Sequence, residues 1–224
     1  MGRGNTDKAD DHQFTEIYEH LFSHLKNTPI RFAEIGVAGG GSLKLWSEYF
    51  TRSTVFGLDI YTLDELREIL KKYPQVKDQL DSIKGNDRIK TFVADQANRA
   101  QLQSFIDKHG SDFDIVMDDG GHSMEMQQVS FGFFFKHLKP GGYYVLEDIH
   151  TSLLDRFQGY GADKDESNTT LTVMNGLIRH GIAKSKYMTP EEIDYLNKHI
   201  EYVNLFVRQN KPHSTVAIIR KKTE

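Results

Sequence analysis

The chain contains no cysteine. Disulfides and thiolate metal sites are therefore excluded, and any metal must be held by oxygen or imidazole ligands. No run of about 18 apolar residues occurs, so no transmembrane helix and no membrane partner are expected. The N-terminus is polar and mixed in charge, without the apolar segment of a signal peptide, and a cytoplasmic setting is expected. Basic residues are not in excess: 28 Lys and Arg stand against 32 Asp and Glu, a net charge of −4. That balance gives no global footprint for nucleic acid. Internal repeats, low-complexity tracts and a convincing linker are missing as well.

What is present suffices for a core. Of the 224 residues 38% are hydrophobic, with 14 Phe and 10 Tyr, which suits one ordinary α/β domain spanning 1–224. Residues 1–12 read as a polar N-terminal arm. Apolar residues at helical spacing predict a helix over 13–26 and another over 43–50, separated by a buried strand over 30–37. A second strand covers 54–60. Residues 62–86 are highly charged with helical periodicity, read as an exposed helical insertion. A strand at 89–94, a helix at 98–109, a strand at 113–118 and a helix at 123–136 follow, the last with Phe131, Phe133, Phe134 and Phe135 read as core. Lys139-Pro140-Gly141-Gly142 reads as a tight turn into a strand over 143–147. Residues 150–169 are polar and glycine-containing, the pattern of an active-site loop. Helices are expected over 170–181 and 190–198. Two β-rich runs, 200–209 and 215–220, are joined by a turn at 210–213. Alternating strands and helices predict a mostly parallel sheet with helices on both faces, closed by a C-terminal antiparallel hairpin.

In such sheets ligands bind beyond the carboxyl ends of the strands, and polar groups stand at each of those ends. The first strand delivers Glu34 and Gly36, then a glycine run containing Gly40 and Gly41, with Ser42 placed to cap the next helix. The second ends in Asp59, 23 residues past Gly36, near the spacing of about 20 at which a carboxylate meets a ribose diol. The third ends in Asp95-Gln96, suited to an adenine amino group and ring nitrogen. Each signal alone has a plainer explanation as a turn or a helix cap. Their order together favours a nucleoside cofactor. The glycine run fits the dinucleotide fingerprint imperfectly, because Ala38 stands where it needs glycine.

Two further strand ends are acidic. Asp114 to Met117 runs into Asp118-Asp119-Gly120-Gly121-His122, and Val145-Leu146 runs into Glu147-Asp148. Asp119, Glu147 and Asp148 at neighbouring strand ends would repel one another unless a cation lay between them. Oxygen ligation suits Mg²⁺, or Mn²⁺. His122, across a glycine turn from Asp119, can take a proton from a hydroxyl. Caps, turns and a locally bonded histidine are the plainer alternatives.

Glu34-x-Gly36 with the acidic second strand end resembles the class I S-adenosylmethionine methyltransferases, whose fold is a Rossmann-like sandwich. The resemblance sharpens over most of the chain. Asn5-Thr6-Asp7-Lys8, Gly40-Gly41-Ser42-Leu43, Trp46, Gly57-Leu58-Asp59-Ile60, Asp95-Gln96, Asp118 to His122 and Glu147 to Ser152 occur in the order seen in the metal-dependent sugar O-methyltransferases of macrolide biosynthesis and their rhamnosyl relatives. It implies metal ligation by Asp119, Glu147 and Asp148, with His122 as general base. Contacts to S-adenosyl-L-methionine are implied for Thr6, Glu34, Gly36, Gly40, Gly41, Ser42, Asp59, Asp95 and Gln96, while Asp118, at its own strand end, reads as facing the cofactor side or supporting the turn. The implied acceptor is a small sugar-containing molecule presenting a vicinal diol, as a glycoside, natural product or polysaccharide precursor. Three alternatives stay open: a metal-dependent O-methyltransferase of a non-sugar diol, a non-catalytic S-adenosylmethionine- or nucleotide-binding protein, and a hydride-transfer enzyme. A homo-oligomer is compatible with the polar arm.

Overall fold

The computed structural model describes residues 8, 14–153, 156–157, 159–160, 166–208 and 214–224. The chain forms two compact units, 1–94 and 95–224.

In the first unit α1 (Thr15–Phe22) leads through a short 3₁₀ turn to β1 (Arg31–Ile35), α2 (Gly41–Tyr49), β2 (Thr54–Asp59), α3 (Leu63–Ile69), α4 (Pro74–Lys84) and β3 (Ile89–Val93). The strands pair in parallel, β2 in the middle, with Ala33 opposite Phe56 and Leu58 opposite Phe92. Nearly every residue of β1 and β2 is buried, which is why both read as short continuous apolar runs rather than as alternating ones. Trp46 anchors the core, stacked on Phe50 at 5.6 Å and edge-on to Tyr18 at 5.5 Å. A fully buried ring of this kind contributes roughly 1.5–3 kcal/mol.

Residues 62–86 are helical, as their periodicity predicts. Thr62 opens α3 with a capping box to Glu65, and Pro74 starts α4 at the position where its missing N–H costs nothing. The stretch is not simply a solvated insertion, because Val76, Leu80 and Ile83 are buried on one face of α4. That face packs against the glycine run: a Cβ at Gly40 would collide with Ile83 Cδ1.

The second unit holds α5 (Arg99–His109), β4 (Phe113–Asp118), α6 (Met124–Phe135), β5 (Leu138–Leu146), a 3₁₀ helix at Ile149–Ser152, a second at Glu166–Asn168, α7 (Thr170–His180), α8 (Pro190–His199), β6 (Ile200–Val207) and β7 (Thr215–Lys221). β4 and β5 are parallel. β7 pairs antiparallel with β5 on one side and β6 on the other, the expected closing hairpin. Its connecting turn at 210–213 lies outside the described residues. The four phenylalanines of α6 are buried as expected. One boundary differs. The Lys139-Pro140-Gly141-Gly142 stretch, read as a turn, lies inside β5. The register shifts there, from Phe113 opposite Leu138 to Ile115 opposite Tyr143. Gly141 takes φ +75°, and a Cβ at Gly142 would lie 3.0 Å from the Lys139 carbonyl oxygen and 3.1 Å from those of Phe113 and Asp114. The glycines make a bulge that a strand can absorb.

Candidate active site

In the first unit, the end of β1 and the start of α2 are wired through side chains. Glu34 is fully buried, accepts the Ser42 hydroxyl at 2.6 Å and lies 3.5 Å from the buried Lys8 ammonium. Ser42 therefore does not cap α2; that place belongs to Gly40, at φ +81°. Gly36, at φ +95°, donates its amide to the Leu58 carbonyl. Asp59 gathers the loop: one oxygen accepts the amides of Val37 at 2.9 Å and Ala38 at 3.2 Å, the other the amide of Tyr61 at 3.0 Å. Gly41 opens α2. Thr6 lies outside the described residues.

In the second unit, Asp95 accepts the amide of Ala97 at 2.8 Å. Gln96 is buried and used at both ends, donating to Asp118 at 3.1 Å and accepting the Gly121 amide at 2.7 Å. Asp118 is itself buried and also accepts hydrogen bonds from Tyr144 at 3.0 Å and from Ser130. Burial lifts its carboxyl to about 6, against the opposing pull of Ser130, His122, Tyr144 and the Gly120 amide. The main chain joins in, since the Glu147 amide donates to the Asp118 carbonyl at 3.0 Å. Gln127 Nε2 donates to the Glu147 carbonyl at 3.1 Å.

Beyond these strand ends three of the expected residues converge. One ligand atom each from Asp119, His122 and Asp148 lies within 4.8 Å of the other two. His122 Nε2 is 3.4 Å from Asp148 Oδ2, and all three residues are half-buried. Glu147 is buried, and its carboxylate is not part of this group of three. His122 and Asp148 both adopt the left-handed region, at φ +56° and +55°. Such backbone costs about 1–3 kcal/mol per residue and concentrates at functional sites. Thr151 clips both, its hydroxyl lying 2.9 Å from the His122 carbonyl oxygen and 3.1 Å from that of Asp148. The two carboxylates, partly screened from water, are oxygen donors that fit a hard divalent cation, and the imidazole stands beside them.

Several members of this wiring escaped the sequence reading. Lys8 stands only inside the Asn5-Thr6-Asp7-Lys8 motif. Ser130 and Gln127 carry a usable signal, as polar residues in a helix that is buried nearly all round. Thr151 stands only inside the Glu147 to Ser152 motif, and Tyr144 carries no signal.

No known family profile matches the chain. It is 31% identical over 237 aligned positions to the 8-demethyl-8-alpha-L-rhamnosyl tetracenomycin-C 2'-O-methyltransferase of Streptomyces olivaceus, covering 99% of this chain and 57% of that one. Identity to the mycinamicin VI 2''-O-methyltransferase of Micromonospora griseorubida is 34%, over 75% of this chain and 39% of the relative. Among solved structures, the MycE methyltransferase of the mycinamycin pathway in complex with Mg and SAH superposes with a TM-score of 0.70 at 29% identity, over 95% of this chain and 50% of that one. The chain thus spans about half the length of the relatives it matches, or less. The fold is that of the class I methyltransferases. Within that class the chain is similar, over most of its own length, to sugar O-methyltransferases such as the mycinamicin and rhamnosyl enzymes.

Proposed function

We propose that the chain is an S-adenosylmethionine-dependent, metal-dependent O-methyltransferase acting on a hydroxyl of a sugar carried by a natural product. The observation that carries this reading is the convergence of Asp119, His122 and Asp148 on one small volume. The relatives support it by name, one as a rhamnosyl 2'-O-methyltransferase and one as a mycinamicin 2''-O-methyltransferase, and the MycE structure holds Mg and SAH.

When bound, the cofactor supplies an activated methyl group and the cation a Lewis acid that lowers the pKa of a coordinated hydroxyl. Asp119 and Asp148 hold the cation, with Glu147 assigned beside them. His122 accepts the hydroxyl proton at Nε2, the nitrogen on the side of Asp148. The new bond joins the sugar oxygen to the methyl carbon, the sulfur–carbon bond breaks, and the sulfur keeps the electron pair. Asp59 and the glycine run are assigned to the cofactor. Since the methyl donor arrives activated, positioning supplies much of the remaining acceleration.

His122→Ala tests the assignment. We expect the variant to fold and to bind S-adenosylhomocysteine normally in calorimetry, while turnover falls by about 10²–10⁴-fold. Near-normal turnover would remove His122 as the base.

A further inference from the structure

The 3₁₀ helix that follows Asp148 forms one wall of a cavity of about 350 Å³ in the second unit. None of the residues assigned above to metal, base or cofactor lines it. His150 connects it to the cluster: it lines the cavity and its Nδ1 lies 3.7 Å from Asp148 Oδ1. The cavity therefore begins one side chain away from the atoms assigned to the reaction.

Its walls are built rather than incidental. The Leu153 amide donates to the His150 carbonyl, and the amides of Arg156 and Phe157 donate to that of Leu153. The Phe157 ring meets the His150 ring edge-on at 4.7 Å. On the next wall the Leu171 amide donates to Ser152 Oγ at 3.1 Å, which fixes the first turn of α7 against the 3₁₀ helix. Val207 and Thr215 face each other across the β6–β7 pair and close the remaining side. Ile149, Leu153, Leu171 and Val207 make the lining largely aliphatic, with His150, Arg156 and Thr215 as its polar residues, and Val207 is left 55% exposed at the rim. Ligand pockets start at roughly 300 Å³ and are mostly apolar with a few placed polar groups. An aliphatic lining is wrong for the hydroxyl-covered face of a sugar, because each buried hydroxyl would need a partner. It is right for an apolar group attached to that sugar.

We propose that this cavity binds the apolar aglycone of the acceptor, a group of one or two fused rings, and so selects glycosides over free sugars. The inference rests on the sugar O-methylation reading above. The test uses 2-naphthol as a fragment and a matched pair of glycosides, 2-naphthyl and methyl α-L-rhamnoside. Two variants reshape the cavity away from the assigned machinery: Leu171→Trp fills it, and Val207→Asp charges its exposed rim. We expect 2-naphthol to bind the wild type in a fluorescence titration and to weaken by about tenfold in both variants, with affinity for S-adenosylhomocysteine unchanged. The naphthyl glycoside should have a KM about tenfold below that of the methyl glycoside, a preference the variants erase. Absent 2-naphthol binding, equal binding in all three proteins, or equal KM values with both glycosides methylated would overturn the aglycone site. Cavity-dependent 2-naphthol binding without transfer to either glycoside would instead remove the sugar-methylation reading, and the aglycone assignment with it.

Discussion

The side-chain amide of Gln96 donates to Asp118 at 3.1 Å while its oxygen accepts the Gly121 amide at 2.7 Å. One side chain thereby ties the last residue of β4 to the turn that presents Asp119 and His122. Gln96→Ala leaves partly buried hydrogen-bonding groups without that partner and should lower the unfolding free energy by about 1–2 kcal/mol, read from urea titration. Because the turn loosens, Mn²⁺ affinity measured by electron paramagnetic resonance should weaken as well. Unchanged Mn²⁺ affinity would show that Gln96 supports the fold without setting the turn.

Lys8 and Glu34 are both fully buried and 3.5 Å apart. Breaking a buried pair from one side strands a charge, at a cost of about 3–5 kcal/mol. Lys8→Met should show that loss in chemical denaturation. Lys8→Met combined with Glu34→Gln should recover most of it, since neither charge then remains. Equal stability of the single variant and the wild type would contradict the pairing.

His137 is held near 4, well below the ordinary histidine value, chiefly by burial and further by the positive charges of Lys136 and Lys221. The folded state therefore binds this proton less readily than the unfolded chain does. Its contribution to stability is fully present above about pH 6.5 and is lost as pH falls toward 4. Melting temperatures across that range should fall with acid, and His137→Gln should flatten the slope. An unaltered slope would assign the acid sensitivity to other groups.

Much of this molecule was legible in its amino-acid order. The strands ending at Asp59 and Asp118 are buried on both faces and so appear as apolar runs, and the antiparallel hairpin shows in its two β-rich segments. The bulge in β5 was hidden because Pro140-Gly141-Gly142 has the same composition in a turn and in an irregular strand. The buried face of α4 was masked by its charged surroundings; only three of its residues, Val76, Leu80 and Ile83, are buried. At the site, the pairing of Asp119 with His122 follows from a short turn, and the arrival of Asp148 follows from strand order. The support that Tyr144 gives to Asp118, and Thr151 to His122, depends on packing between elements distant in sequence, which no local pattern records.

The account rests most heavily on a cation held at Asp119 and Asp148, beside the base His122, during methyl transfer. The direct measurement is transfer of labelled methyl from S-adenosylmethionine to a panel of glycosides, before and after EDTA and again after Mg²⁺ is restored. The account predicts that transfer is abolished by EDTA, returns with Mg²⁺ in the wild type, and does not return in Asp119→Asn even though that variant still binds S-adenosylhomocysteine. Methyl transfer that continues unchanged in EDTA would contradict it.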